Sequence, residues 1–392
     1  MDDITPADVS RLHRTATRAA RHLGLPEDAV LKRTEKGLRA QQVVGILAVP
    51  GTTVEILPKV DDEDGAVRAA LVQMLAVALD LKVAYGDLTA MDTQRHNLLE
   101  RLIQLFARRL LGAVRRGLPR RYVRHEEDLA VLRGTLNVKR QFTSLLVRPD
   151  LVASRFDELS EDTPLNRVCK AAVTRLAGVT CLLENHRRLV ELLARLDNVA
   201  NSASPLEEPV SLDRTNTAFH DVYRLAKLFL KGDWQDTASG RASGLALLFP
   251  MNDLFEEFVG KSLQKALGAN RVRLQDQSRR ALNPQTSGPR YPLRPDMVVV
   301  DLQNRPVVLD TKWKRLGPRD GPSRVDVYQM LVYGQAFGAE RVILIYPWHE
   351  KIGTEGIHRR WTVTGAGYGF EVATVNVGRP GEVQRSLRGL FT

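Results

Sequence analysis

The stretch RPDMVVVDLQNRPVVLDTKWK, residues 294–314, decides how the C-terminal part of this chain folds. Two apolar runs, Met297 to Val300 and Val307 to Leu309, are separated by Leu302-Gln303-Asn304-Arg305, a turn-forming tetrad between strands of similar length. A hairpin folded about Gln303-Asn304 pairs position 296 with 310 or 311, so the carboxylates of Asp296 and Asp310 meet at its open end. Period-two alternation puts Asp310 and Lys312 on one face, about 7 Å apart along the strand, with Thr311 and Trp313 on the other. Pro306 is acceptable because it opens its strand and interrupts no ladder.

Two carboxylates brought together without a cation repel, and one is driven to take up a proton. A metal ion or an ionised base stabilises such a pair. All-oxygen ligands suit Mg²⁺, with Mn²⁺ also possible, better than zinc. A hard ion held there can activate a water and offset charge on a phosphodiester, and Lys312 can position or deprotonate that water. The same residues also read as a surface hairpin in which Asp310 and Lys312 form a same-face ion pair.

Outward from the hairpin, helical periodicity over 251–267 and 325–337 and buried-type strands over 296–301, 306–312 and 341–346 predict an α/β domain with a mixed sheet. Upstream, a short helix to about residue 23 and alternation over 38–59 predict a small β-rich module at 1–60. The acidic run 61–64 follows as a linker or helix start. Helices are expected over 65–85, over 92–116 and from Asp162-Thr163-Pro164 to at least His186, short strands around 133–136 and 151–156, and a further helix over 216–231. The Gly/Ser/Asp-rich stretch 232–244 reads as a domain boundary. The predicted division is therefore 1–60, a mainly helical 61–240, and 245–392.

In this chain of 392 residues, 57 Lys and Arg outnumber 46 Asp and Glu. The pI near 9.8 favours a polyanionic partner, nucleic acid first and an anionic membrane second. The acidic start MDDITPADVS has no secretion-signal pattern and no window approaches a membrane span, which predicts a cytoplasmic protein. Cys169 and Cys181, twelve positions apart in one helical pattern, would lie about 18 Å apart, too far for a disulfide. The helix over 92–116 carries Arg101, Arg108, Arg109, Arg115 and Arg116, continued by Arg120, Arg121 and Arg124. This basic stripe is either a solvated face or a phosphate-contacting one. The scattered histidines show no metal-binding spacing. Gly260-Lys261-Ser262 lacks the upstream glycine of a phosphate loop, so no nucleotide site is expected.

Pro295-Asp296 with Asp310-Thr311-Lys312 resembles the PD-(D/E)xK nuclease motif, and Gln329 with Tyr333 on the following helix is similar to the QxxxY signature of its RecB-like branch. More specifically, the chain resembles the McrC family, the nuclease subunits of McrBC-type modified-cytosine restriction systems. The resemblance runs over about 65–380 through ordered blocks: RGLPRRYVRHEEDLAVLRGTLNVKRQF (116–142), SRFDELSEDTPLNRVCKAAV (154–173), MNDLFEEFVGKSL (251–263), DVYQMLVYGQA (326–336) and VILIYPWHE (342–350). It implies a restriction-endonuclease-like C-terminal sheet, with Asp296, Asp310 and the Thr311 carbonyl as metal ligands and Lys312 placing the water. Gln329 and Tyr333 would approach the scissile phosphate or steady the lysine. Glu256, or its neighbour Glu257, would bring an acid from the preceding helix. It also implies DNA as substrate and a separate McrB-like AAA+ GTPase ring as partner. On the basic stripe, Arg108, Arg109, Arg115 and Arg116 are the DNA-contact candidates. A bridging, GTPase-activating subunit with a vestigial site, and a stand-alone RecB-like repair or defence nuclease, are the competing functions.

Overall fold

The structure is a computed structural model and describes residues 5–35, 37–49, 52–58, 64–81, 98–231, 233–235, 242–282, 291–301, 303–317, 320–353 and 355–391. By chain contacts it divides into two units, one of Met1–Leu98 with Trp234–Thr392 and one of Leu99–Asp233.

The first unit opens with α1 (Pro6–His22), started by Pro6 in its first turn and by the Thr5 hydroxyl, which accepts from the Asp8 N–H. Strands β1 (Leu31–Thr34) and β2 (Gly37–Ala40) form an antiparallel ribbon; β3 (Val43–Val49) and β4 (Thr52–Ile56) form a second pair, and α2 (Asp64–Ala78) follows. Leu12, Ala16, Ala19 and Ala20 of α1 pack on Leu31, Val43 and Leu47.

The second unit contains α3 (Leu98–Val114), the strands β5 (Arg121–Leu129), β6 (Thr135–Leu136) and β7 (Val152–Ser160), then α4 (Pro164–Ala177), α5 (Leu183–Arg195) and α6 (His220–Lys231). Its sheet runs β5-β7-β6. The nine-residue β5 escapes a periodicity reading because it is largely solvent-facing and charged. Its cross-strand partners include Arg124 opposite Asp157 and Glu126 opposite Arg155. The helix expected to reach His186 is two helices. Gly178 caps α4, and the freed N–H of Cys181 donates to buried Glu100 at 2.6 Å, as does the Thr180 hydroxyl at 2.6 Å. Cys169 is buried and Cys181 exposed, both as free thiols, and burial pushes the Cys169 thiol up to about 12.

Returning to the first unit, β8 (Asp233–Gln235) and β9 (Ala242–Pro250) precede α7 (Met251–Leu267), β10 (Val272–Leu274), β11 (Met297–Val300), β12 (Pro306–Thr311), α8 (Arg324–Phe337), β13 (Arg341–Pro347), β14 (Gly356–Thr362), β15 (Gly369–Val375) and α9 (Pro380–Gly389). One six-stranded mixed sheet has the order β10-β11-β12-β13-β15-β14, with β12-β13 and β13-β15 parallel. The α/β character and the order helix, hairpin, helix, strand agree with the sequence.

The second sheet, β4-β3-β9-β8, differs from expectation. The stretch 232–244 contains strand as well as loop, and β9 pairs antiparallel with β3 from Val43↔Pro250 to Ala48↔Leu245. Strands from the first 60 residues thus share a sheet with the chain leading into α7, where the linear pattern suggests the divisions 1–60, 61–240 and 245–392. Of the helices expected over 65–85 and 92–116, the portions at 82–97 lie outside the described residues. No helix among the described residues is long and apolar enough to cross a membrane.

Gly45 makes the β3-β9 pairing possible. Its φ is 127°, and a Cβ there would run into the Leu247 carbonyl. Gly45→Ala is therefore expected to cost about 2 kcal/mol or more through backbone strain and a displaced strand, read as a lower thermal midpoint of the full chain. An unchanged midpoint would show that this pairing does not support the fold.

Candidate active site

The hairpin register is Met297↔Leu309 through Val300↔Pro306, which continues to place Asp296 opposite Asp310. The turn enforces it. The Asp301 carboxylate accepts from the N–H of Gln303 (2.9 Å) and Arg305 (2.8 Å), and Asn304 takes a left-handed φ of 62°. Buried Val298, Val308 and Val342 anchor the strands, and the Lys312 N–H donates to the Ile345 carbonyl at 2.9 Å, carrying the β12-β13 ladder past the last strand residue.

Asp296 is fixed by Thr311, whose N–H and hydroxyl both donate to its Oδ2, at 2.6 and 2.7 Å. Asp310, 1% exposed, faces the Lys312 ammonium at 2.6 Å. From α8, Gln329 Nε2 donates to Tyr333 at 2.9 Å and lies 3.4 Å from Asp310 Oδ1, and the Tyr333 hydroxyl donates to the Arg294 carbonyl at 3.1 Å. The i, i+4 spacing puts both on one helix face. Gln329 thus reaches Asp310, and Tyr333 reaches it only through Gln329, where the resemblance implies a place by the lysine or the scissile phosphate.

Glu256 enters from α7, and Gln275 donates to it at 2.9 Å while accepting from Arg294 at 2.5 Å. Its neighbour Glu257 is exposed and turns to Lys261 at 3.9 Å. Of the two, Glu256 is the one whose charge is felt at Asp296 and Asp310. Lys261 itself sits mid-helix and donates to the Ala78 carbonyl at 2.6 Å.

Burial and then the charge of Asp310 push Asp296 up to about 6. Burial also raises Asp310 against the opposing pull of Lys312, and raises Glu256 with help from Asp296. Burial disfavours the charged form of Lys312, but Asp310 outweighs it and keeps the ammonium protonated. Three carboxylates held above their ordinary range around one lysine are a site short of positive charge.

The donor set fits a hard divalent ion. Asp310 Oδ2, beside the lysine, has no hydrogen bond of proper geometry although it is buried. Among the described residues no three Asp, Glu, His or Cys side chains close into a metal cage. Two aspartates with a glutamate nearby form an open, oxygen-only set, which suits an ion such as Mg²⁺ that keeps several waters.

The sequence missed Gln275 and Arg294, which place Glu256, and also Asn252 and Asp326. Asp326 is 4% exposed and pairs with Lys314 at 3.2 Å, a second acid–lysine pair beside the first. Only its place at the start of a helix marked it in the sequence.

The arginine stripe is not brought together as one surface. Arg101 is buried, Arg109 pairs with Asp221 at 2.7 Å, and Arg120 and Arg124 pair with Glu161 and Asp157. Arg108, Arg115 and Arg116 are exposed.

A carboxyl whose folded pKa lies above its ordinary value binds extra protons in the folded state, so it lowers stability as pH rises from about 4 to about 6. Asp296→Asn, which can still accept from Thr311, is expected to raise the thermal midpoint in EDTA at neutral pH, with the difference vanishing near pH 4. The same variant should lose any Mg²⁺-induced rise. Equal midpoints for both proteins across this range would refute the charge deficit at Asp296.

The solved half-complex of Thermococcus gammatolerans McrB AAA+ hexamers with bound McrC contains a chain 25% identical to this one, at a TM-score of 0.73, covering 93% of this chain and 85% of that one. A cryo-EM structure of the T. gammatolerans McrBC complex matches at 28% identity and a TM-score of 0.53, covering 66% of this chain and 80% of that one. No curated protein matches. The family model described as McrBC 5-methylcytosine restriction system component matches residues 38–347, most of the sequence, and the chain belongs to that family.

Proposed function

We propose that this chain is the DNA-cutting subunit of a GTP-dependent modified-DNA restriction system, hydrolysing phosphodiesters with Mg²⁺ or Mn²⁺ alongside an McrB-like AAA+ GTPase ring. The observation that carries it is the meeting of Asp296, Asp310 and Lys312 at one end of the β11-β12 hairpin, in a member of this family. The partner follows from the relative, whose McrC is bound to McrB hexamers.

Asp296 and Asp310 would hold the metal, with Glu256 as a further acid beside them. When bound, the ion would lower the pKa of a water and offset charge on the phosphodiester. The chain's own residues supply the positioning. Thr311 locks Asp296 through two donors, Gln329 restrains Asp310, and the Gln275 and Arg294 contacts orient Glu256. Lys312 is a retained cation whose role is electrostatic and orienting, because its proton is held by Asp310. Exposed Arg108, Arg115 and Arg116 are the stripe residues proposed to meet DNA.

With the partner GTPase, GTP, Mg²⁺ and modified DNA, Asp310→Ala or Lys312→Ala should reduce cleavage by about 100-fold or more, leaving stimulation of GTP hydrolysis intact. Gln329→Ala should cost less, about 10-fold, because it acts through Asp310. Undiminished cutting by the Asp310 or Lys312 variant would remove the site from the chemistry. Neutralising Arg108, Arg115 and Arg116 should flatten the salt dependence of DNA binding; an unchanged slope would make that face a solvated one.

A further inference from the structure

The β1-β2 ribbon places charge where its own fold gains nothing from it. Lys32 stands directly opposite Arg39 in the register, and neither meets a carboxylate among the described residues. Like charges across an antiparallel pair destabilise it unless an anion lies between or above them. The opposite face of the ribbon carries Leu31 and Leu38, which pack into the core with α1, so the cationic face is the outward one.

Arg39 of that face also lines a cavity of about 300 Å³, large enough for a small ligand or one unit of a polymer, together with Gln41, Gln42, Trp313, Lys314 and Arg315 among others. Three of these directly follow Lys312 in sequence. The wall is braced. The Trp313 N–H donates to Asn252 at 3.2 Å, Asn252 lies 3.4 Å from Gln42, and the Trp313 ring meets Phe255 edge-on at 5.2 Å. The Met251 N–H donates to the Gln42 carbonyl at 3.0 Å, tying the same wall to the start of the helix that carries Glu256. Lys314 shares its charge with Asp326, whereas Arg39 and Lys32 have no such pair among the described residues.

We propose that this cavity and the outer face of β1-β2 form a subsite for the DNA strand flanking the phosphodiester to be cut, with Lys32 and Arg39 on backbone phosphates and the adjoining nucleoside against the Gln41 and Trp313 wall. The inference rests on the nuclease reading and adds to it a role for the N-terminal strands, which hold substrate next to the cutting centre.

Binding of the full-length chain to a short fluorescein-labelled duplex in EDTA separates the two claims, since no cleavage is involved. Lys32→Ala with Arg39→Ala should weaken binding about tenfold at low salt and reduce the slope of log K against log salt by about 2. Its thermal midpoint should not fall, because a like-charge pair has been removed. Lys32→Gln alone should give about half the slope change.

As a geometric check, Gln41→Cys in a Cys181→Ser background should form disulfide cross-links to thiol-tethered duplex, whereas Asn270→Cys in the same background, exposed beyond the far end of α7 from the cavity-lining Met251, should not. An unchanged slope, cross-linking equal to that of the Asn270→Cys control, or absence of DNA binding by the unsubstituted chain would overturn the subsite. If Asp310→Ala abolishes cutting while these results are negative, the nuclease reading stands and the subsite falls. If the slope and cross-links behave as expected while Asp310→Ala still cuts, the subsite stands and the assigned centre falls.

Discussion

The contact between buried Asp310 and Lys312 is what the rest of the site is arranged around. A carboxylate at 1% exposure at the end of an apolar strand is costly to desolvate, and one ammonium at 2.6 Å offsets only part of that cost because Asp296 and Glu256 bring further negative charge. The surrounding hydrogen bonds answer this imbalance. Thr311 gives both its donors to Asp296, and Gln329 leans on Asp310 from a helix braced through Tyr333. The residual deficit of positive charge is the physical basis for the hard metal ion proposed at this site.

The arrangement tolerates little slippage. A one-residue shift in the β11-β12 pairing would send Asp296 and Asp310 to opposite faces of the sheet, since side chains alternate with period two. Three devices oppose such a shift: the Asp301 side chain closing the turn, left-handed Asn304 within it, and the parallel ladder with β13 that extends through Lys312. The buried, largely apolar strands β11, β12 and β13 are thus the means by which three charged side chains are held in place.

The N-terminal strands belong to the same compact unit as this sheet. Through β3 and β9 they join the chain that enters α7, the helix carrying Glu256, and through Gln42 and Asn252 they reach the residue after Lys312. A segment read from the linear sequence as a separate β-rich module is therefore structurally continuous with the surroundings of the candidate centre.

The local pattern of residues 294–314 determined a great deal by itself. Alternation, a turn tetrad and Pro306 specified the hairpin and narrowed the partner of 296 to 310 or 311, because strand pairing across a short turn has few registers; the observed register decided for 310. Helical spacing likewise placed Glu256, Gln329 and Tyr333 on the correct elements. Only the tertiary structure decided that Glu256 and not Glu257 faces the aspartates, that Gln329 serves Asp310, and that buried Asp326 pairs with Lys314. Those outcomes depend on how helices are rotated against the sheet, which periodicity does not encode. The same holds for the split of the helix after Gly178, imposed by Glu100 from another helix, and for the pairing of β3 with β9. Both are contacts between residues far apart in sequence, whose energies appear only when the chain is folded.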